Sequence, residues 1–333
     1  MRLGLSYDLK KAISTSTGSD DALEEYDSWE TVAGLAKFLE SSSQEVVMLG
    51  GGAEFLKKIL AQRVGFVFNI AEGRGNHRSR EAQIPAVLEM LGIPYSGSDP
   101  ECLAICLDKP LAKQLVAAVG VKTPRWFLLH SLEDVMGIAE SGLTFPAIVK
   151  PAFEGSSKGI KLNSVVNDAA EVASVAGDLF QRYQQPILIE EFIRGTEITV
   201  GMVGNNPPEV IGIMAVVPKN SESNFVYSLE VKRNYLELVD YQCPANLLPE
   251  VLKELEVSAQ KVYKTLRCRD FARIDYRVST SGVPYFLEVN PLPGLGDYSD
   301  LVIMAEMTGL GHRGLVMKVL NAALGRYPQC VTA

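Results

Sequence analysis

Four polar residues, Arg273, Asp275, Glu288 and Asn290, punctuate the otherwise apolar stretch DFARIDYRVSTSGVPYFLEVNPLPG at positions 270–294. The stretch reads as two alternating strands joined by the turn Ser279-Thr280-Ser281-Gly282. Side chains two apart on a strand share a face, so Arg273 groups with Asp275 and Glu288 with Asn290. A tight turn sets Asp275 opposite Glu288, where two facing carboxylates repel and weaken the hairpin. A cation between them removes the conflict. Carboxylate and amide oxygens suit magnesium, a hard ion that keeps some water and also takes oxygens from substrate phosphates. On an exposed hairpin the same pattern is merely a solvated face. The exit Pro291-Leu292-Pro293-Gly294 stops the strand where the polar cluster ends, which favours a site.

Two further stretches carry candidate chemistry. FPAIVKPAFEGSSKGIKL reads as strand, Gly/Ser loop, strand, with Lys150 ending the first strand and Glu154 to Gly159 forming the turn. Such a loop exposes backbone N–H groups that can cradle a phosphate, and lysine adds a point charge; taken alone it is more often a plain hairpin turn. It is not a Walker P-loop, lacking the GK[ST] ending and a following helix. In PILIEEFIRGTEITVGMVG, Glu190, Glu191 and Glu197 lie in an apolar setting, where carboxylates form salt bridges or accept hydrogen bonds from a ligand's hydroxyls or amine.

The elements that must position these residues follow from periodicity. Up to Ser96, short apolar strands (Leu3 to Ser6, Val46 to Leu49, Gly65 to Ile70, and around Pro94 to Ser96) alternate with helices at Trp29 to Leu39, Glu54 to Leu60 and Glu81 to Leu91. This alternation implies a parallel sheet covered by helices, with a ligand crevice at the loop 69–83. Gly73-Arg74-Gly75 starts like a dinucleotide fingerprint but lacks its third glycine. Helices near Glu101 to Leu107 and Pro110 to Ala118 lead to a Gly/Pro-punctuated boundary, GVKTPRWFLL. A helix is expected over Ala169 to Tyr183 and another over Pro249 to Leu266. The segment from Val217 to Asn246 reads as a long irregular lid loop. The end, Leu301 to Leu324, is expected to be helical, with Met304, Met307 and Met317 in the core.

Composition bounds the class. The chain has 333 residues, 47% apolar and 22% charged, which suits a soluble globular protein of two or three units. No signal-like N-terminus and no apolar run of about 20 residues appears, so a cytoplasmic protein without a membrane partner is expected. The five cysteines are odd in number and form no CxxC pair, so they read as buried small hydrophobes rather than a disulfide framework or zinc site. A net charge of −8 without basic runs argues against a nucleic-acid partner. The three histidines lack zincin spacing and no GxSxG elbow occurs.

Taken together and in order, LDKPLAK, FPAIVKPAFEGSSKGI, LIEEFIRGTEITV and ARIDYRV…YFLEVNPLPGL resemble an ATP-grasp enzyme, most closely the D-alanine:D-alanine ligase family, over Phe68 to the C-terminus. The resemblance implies an α/β fold: an N-terminal Rossmann-like parallel-sheet domain (1–103), a small central domain with the glycine-rich loop (104–189), and a C-terminal antiparallel-sheet domain with metal site and lid (190–333). It implies an ATP-dependent ligase that joins two small amino acids through an acyl phosphate, as in making the D-alanyl-D-alanine used in peptidoglycan. Lys109 and Lys150 are then expected at the phosphates, with the Glu154–Gly159 loop closing over them through Gly155 and the backbone amides of Ser156 and Ser157. Glu190, Phe192 and Ile193 correspond to the adenine-binding connector and Glu197 to the ribose-binding glutamate. Asp275, Glu288 and Asn290 correspond to ligands of two magnesium ions, for which manganese can substitute. Arg273 corresponds to the arginine supporting the acyl phosphate and oxyanion, a type of interaction worth roughly 3 kcal/mol per donor. Lys232 is the candidate for a second contact to the transferring phosphate, and Gly294 and Ser299 belong to the second-substrate pocket. Homodimers are common in that family, which is the ground for expecting one here.

Three departures fall on the amino-acid pockets. The first strand continues as Leu5-Ser6-Tyr7-Asp8 in place of a Gly-Gly-x-Ser-x-Glu turn, leaving Asp8 as a stand-in for the glutamate. Glu72 stands where the family has histidine, and Arg233 where it has tyrosine after the lid lysine. Arg74, Arg78 and Arg80, added in the same loop, suit an anionic acceptor and keep open a different acid or amine.

Overall fold

The structure is a computed structural model that describes residues 1–12, 21–41, 45–220 and 225–331. Its first sheet is parallel, as the alternating pattern requires: β1 (Arg2–Ser6) lies between β2 (Glu45–Gly50) and β3 (Phe66–Asn69). The expected fourth strand is reduced to a single bridge between Val67 and Tyr95. Helix Trp29–Glu40 starts where the Ser28 hydroxyl accepts the Thr31 N–H at 3.1 Å, and it buries Val32, Leu35, Ala36 and Leu39, a one-face spacing. Against it packs the end of the chain. The expected C-terminal helix is two, Asp300–Met307 and His312–Leu324, broken at Gly309-Leu310-Gly311, where both glycines have positive φ.

The second sheet is antiparallel and runs β4–β7–β5–β6: β4 (Trp126–Leu129), β5 (Ala147–Pro151), β6 (Val165–Val166) and β7 (Ile187–Glu191). Helix Ala169–Tyr183 covers it, as expected. The strand predicted right after the glycine-rich loop is displaced to the two residues of β6, because residues 159–164 form a turn capped on Ser164.

The third sheet runs β10–β9–β8–β11–β12: β8 (Gly195–Val203), β9 (Glu209–Pro218), β10 (Val239–Gln242), β11 (Phe271–Ser279) and β12 (Pro284–Asn290), all antiparallel. Helix Pro249–Thr265 packs on it through Val251, Leu255, Ala259 and Val262. Although β7 and β8 are consecutive and three residues apart, they belong to different sheets, so Phe192-Ile193-Arg194 is the hinge-like strap between them. The predicted irregular lid is partly regular: Val217 and Pro218 end β9, helices Leu229–Arg233 and Tyr235–Leu238 follow, and β10 returns. Residues 221–224 of that lid lie outside the described residues.

Cys102, Cys106, Cys268 and Cys330 are buried, and the sulfurs of the first three lie within 4.8 Å of one another. One helical turn separates Cys102 from Cys106, and the fold brings Cys268 to them. Among the described residues no helix is long and apolar enough to cross a membrane.

Candidate active site

The hairpin β11–β12 closes in the register expected from its turn: Asp275 pairs with Glu288, and Arg273 with Asn290. On its other edge β11 sets Arg273 against Gly201, Asp275 against Thr199, and Arg277 against Glu197 of β8, so the period of two carries one polar face across the sheet. Thr199 Oγ1 donates to Asp275 at 3.0 Å. Arg277 pairs with Glu197 at 3.0 Å and lies 4.4 Å over the Phe192 ring. Arg273 forks onto Asp275 (2.9 Å) and Asp300 (3.3 Å), which orients its guanidinium and keeps it protonated despite burial.

This face meets the second sheet across a narrow cleft. From β5 and β7 come Lys150 and Glu190, paired at 2.6 Å; Lys113, fully buried, takes the other Glu190 oxygen at 2.8 Å. Helix Lys109–Ala118 is started by Pro110 and by the Asp108 carboxylate, which accepts the Leu111 N–H at 3.2 Å, and its spacing turns Lys109 and Lys113 to the same face. Lys109 reaches Glu288 at 3.3 Å. Burial pushes the Glu288 carboxyl up, but Lys109, Lys150, Arg273 and Lys232 outweigh it and bring its pKa down to about 2. In Lys113 burial outweighs Glu190 and lowers the ammonium to about 8. Asp275 is raised, by burial first and then by the facing Glu288.

A second, larger space of about 270 Å³ adjoins the first, and Tyr227, Lys232, Arg273 and Asp300 line both. Its walls include Glu72, Arg233, Gly155, Ser156, Asn290, Gly294 and Ser299. The glycine-rich loop forms its roof. Ser156 and Ser157 adopt φ of 50° and 59°, two consecutive residues in the left-handed region. The Ser157 hydroxyl donates to the Tyr227 carbonyl at 2.9 Å, tying the loop to the lid. Gly155 N–H donates to Glu25 at 2.8 Å, and a Cβ there would lie 2.7 Å from the same oxygen, so the close approach needs glycine.

Residues 115–321 match the family model for the D-Ala–D-Ala ligase C-terminus. The D-alanine–D-alanine ligase of Aquifex aeolicus is 32% identical over 88% of this chain and 94% of its own length. The chain belongs to the D-alanine–D-alanine ligase family. An uncharacterized protein of Sinorhizobium fredii, y4sG, is 34% identical over 80% of this chain and 77% of its own. The D-alanine–D-alanine ligase of Bacillus anthracis shares the fold with a TM-score of 0.77 at 25% identity over 99% of both chains. A D-Ala:D-Ser ligase of Enterococcus faecalis shares it at 0.74 and 20% identity, covering 97% and 99%. These findings establish the mixed α/β ATP-grasp architecture of a ligase family.

Within this ligase-family chain, Lys150, Ser157, Glu190, Phe192, Ile193, Glu197, Lys232, Arg273, Asp275 and Glu288 converge on the smaller cleft. Asn290 lies one wall away, with its Oδ1 accepting the Leu292 N–H at 3.1 Å. Lys109 sits beside Glu288 and Asn290 in a side recess. Glu154 lines none of these spaces: its carboxylate is held by Lys158, by Gln185 at 2.6 Å and by Arg80 at 3.5 Å. Asp8 does not stand in for the family glutamate, because Arg74 (2.8 Å) and the Gly73 N–H (3.0 Å) occupy it.

Arg78 pairs with Asp108 at 3.1 Å and Arg80 with Glu25 at 2.7 Å, so the three added arginines stabilise the loop and none lines the larger space. This removes the ground for an anionic acceptor.

Sequence reading missed Lys113, Arg277, Thr199, Tyr227, Asp300 and Glu25. Two carried a usable signal: Lys113 lies four residues after Lys109 on one helix face, and Arg277 continues the alternation of Arg273 and Asp275. Nothing local marks Glu25, whose partners are 55 and 133 residues away.

Proposed function

We propose that this chain is an ATP-dependent carboxylate–amine ligase, D-alanine–D-alanine ligase or a close relative, that forms a dipeptide through an acyl phosphate. The observation that carries the proposal is Glu288, a carboxylate facing Asp275 across the hairpin and ringed by Lys109, Lys150, Arg273 and Lys232. A triphosphate beside hard-cation ligands is the chemistry such an arrangement suits. The smaller cleft takes the nucleotide, with Phe192 and Ile193 against the base, Glu197 toward the ribose, and Lys109 and Lys150 toward the phosphates. Asp275, Glu288 and Asn290 fit magnesium, since all three offer oxygen and the direct Asp275–Glu288 pairing leaves two like charges facing. When bound, the ion supplies charge neutralisation on the transferring phosphoryl group.

The chain's own groups perform the rest. A carboxylate oxygen attacks the γ-phosphorus, ADP leaves, and an acyl phosphate forms with no net change of charge. The amine then attacks the acyl carbon. Arg273, fixed by two aspartates, holds the developing oxyanion, and inorganic phosphate departs as the ammonium loses two protons, one to phosphate. Tyr227, Lys232 and the loop at Ser157 keep water from the acyl phosphate. Ser299 and Gly294 face the acceptor. The reading extends to three units, 1–103, 104–189 and 190–333, and to a cytoplasmic homodimer, the form common among family members.

Phosphate release by purified protein with ATP and magnesium, across single and paired D- and L-amino acids, tests the reaction class. Release coupled to a dipeptide in mass spectra is expected; no release with any pair refutes it.

A further inference from the structure

We propose, resting on the ligase reading, that one of the two amino acids carries a cationic side chain, recognised by Glu72, Glu81 and Asp27. All three line the larger space beside Arg273 and Lys232. Glu81 is 6% exposed, yet among the described residues no hydrogen bond or ion pair reaches its carboxylate, and none reaches those of Glu72 and Asp27. Buried charges are normally paired, since an isolated one costs several kcal/mol of desolvation. Burial holds all three carboxyls above their usual range, and a cationic group entering the cavity would meet three acceptors for which the described residues supply no hydrogen-bonding partner.

The cations of the chain near the cavity direct their hydrogen bonds and ion pairs to other groups. Arg80 lies near enough to act on Glu72 and Glu81 but gives its hydrogen bonds to Glu25 (2.7 Å) and the Phe153 carbonyl (2.8 Å), and Lys109, which shares a recess with Glu81, pairs with Glu288 at 3.3 Å. Arg74 and Arg78, from the loop that carries Glu72, are held by Asp8 and Asp108. Lys158 is taken by Glu25 and Glu154. Arg233, on the opposite wall, is held by Glu24 at 2.6 Å. The loop 72–81 thus keeps its cations for the scaffold and offers the cavity only acid.

The space reaches continuously from Arg273 and Lys232 on one side to Glu72, Glu81 and Asp27 on the other. A basic amino acid spans it with its carboxylate toward Arg273 and Lys232 and its terminal ammonium or guanidinium toward Glu72, Glu81 and Asp27. The α-carboxylate or α-amine remains free for the amide-forming step described above, which the side-chain cation does not enter.

Two readouts on full-length protein test this. The first is calorimetric binding of lysine, ornithine, arginine and alanine, in both stereochemical forms, to protein saturated with magnesium and a non-hydrolysable ATP analogue. The second is phosphate release with ATP for the same amino acids in pairs. At least one basic amino acid is expected to bind about tenfold or more tightly than alanine. The preference is expected to drop about tenfold in Glu81→Gln and further in Glu72→Gln/Glu81→Gln, with Asp27→Asn as an independent check. Circular dichroism and thermal unfolding of each variant, compared with the parent, check that it is folded.

Equal binding of alanine and all basic amino acids, or a preference unchanged in the variants, overturns the proposal. The ligase reading fails separately: basic amino acids that bind without any phosphate release support the subsite and sink the ligase, whereas turnover of neutral pairs alone does the reverse.

Discussion

Glu25→Gln should uncouple the N-terminal unit from the glycine-rich loop. Both Glu25 oxygens accept from Arg80 (2.7 and 2.9 Å), Lys158 lies at 3.2 Å, and the Gly155 N–H donates at 2.8 Å. Burial alone raises this carboxyl, but Arg80, Lys158 and the amide outweigh it and lower its pKa from 4.5 to about 2. A group depressed in the folded state contributes stability above its unfolded value and loses it as pH falls through the folded one. At about 1.4 kcal/mol for each pH unit between the two values, the ionised group contributes about 3 kcal/mol at pH 7 and about 2 kcal/mol near pH 3.5. Arg80 keeps Glu154 and the Phe153 carbonyl, so the loss stays at the lower end of the roughly 3–5 kcal/mol typical of a broken buried pair. Urea unfolding of wild type and variant, followed by circular dichroism at both pH values, measures this. A penalty below about 1 kcal/mol at pH 7, or one that does not shrink at pH 3.5, would refute the reasoning.

Other expectations follow from the same geometry. Arg273→Lys loses the fork onto Asp275 and Asp300 and should lower kcat by about 10²-fold with little change in the KM for ATP, read by coupled ADP release. Gly155→Ala forces a methyl against the Glu25 carboxylate, so the KM for ATP should rise several-fold while the circular dichroism spectrum is kept; an unchanged KM contradicts the loop's proposed contact with phosphate. Chelation with EDTA should abolish ATP turnover and added magnesium restore it, whereas Glu288→Gln should stay inactive at any magnesium concentration. Turnover surviving EDTA removes the metal assignment.

Much of the nucleotide face was legible because it is built from local periodicity. Alternation within 270–290 set Arg273, Asp275, Glu288 and Asn290 on one face, and the short turn alone determined that Asp275 meets Glu288. The α/β alternation up to Ile70 likewise reports the burial of β1 and β3 on both faces, whereas β2 at the sheet edge is partly exposed. What escaped depends on pairings across the chain. Lys113 and Glu190 are 77 positions apart, and no local pattern signals that an ion pair will seal one end of the cleft. The loop 72–81 was misread for the same reason: the arginines suggested a cationic pocket, but Asp8, Glu25 and Asp108 claim them and reverse its sign. The separation of β7 from β8 into different sheets was equally hidden, since three connecting residues look like a hairpin turn until their partners are known.

Tyr227 joins parts that lie far apart in the chain. Its carbonyl holds Ser157, its hydroxyl meets Tyr241 at 2.6 Å and Asp300 at 3.1 Å, and Asp300 in turn holds Arg273. Lifting the glycine-rich loop therefore strains the same residue that anchors the lid and steadies the guanidinium. Loop, lid and guanidinium are thus tied through one residue. On the ligase reading, an opening that lets water reach the acyl phosphate also loosens the contact that steadies Arg273.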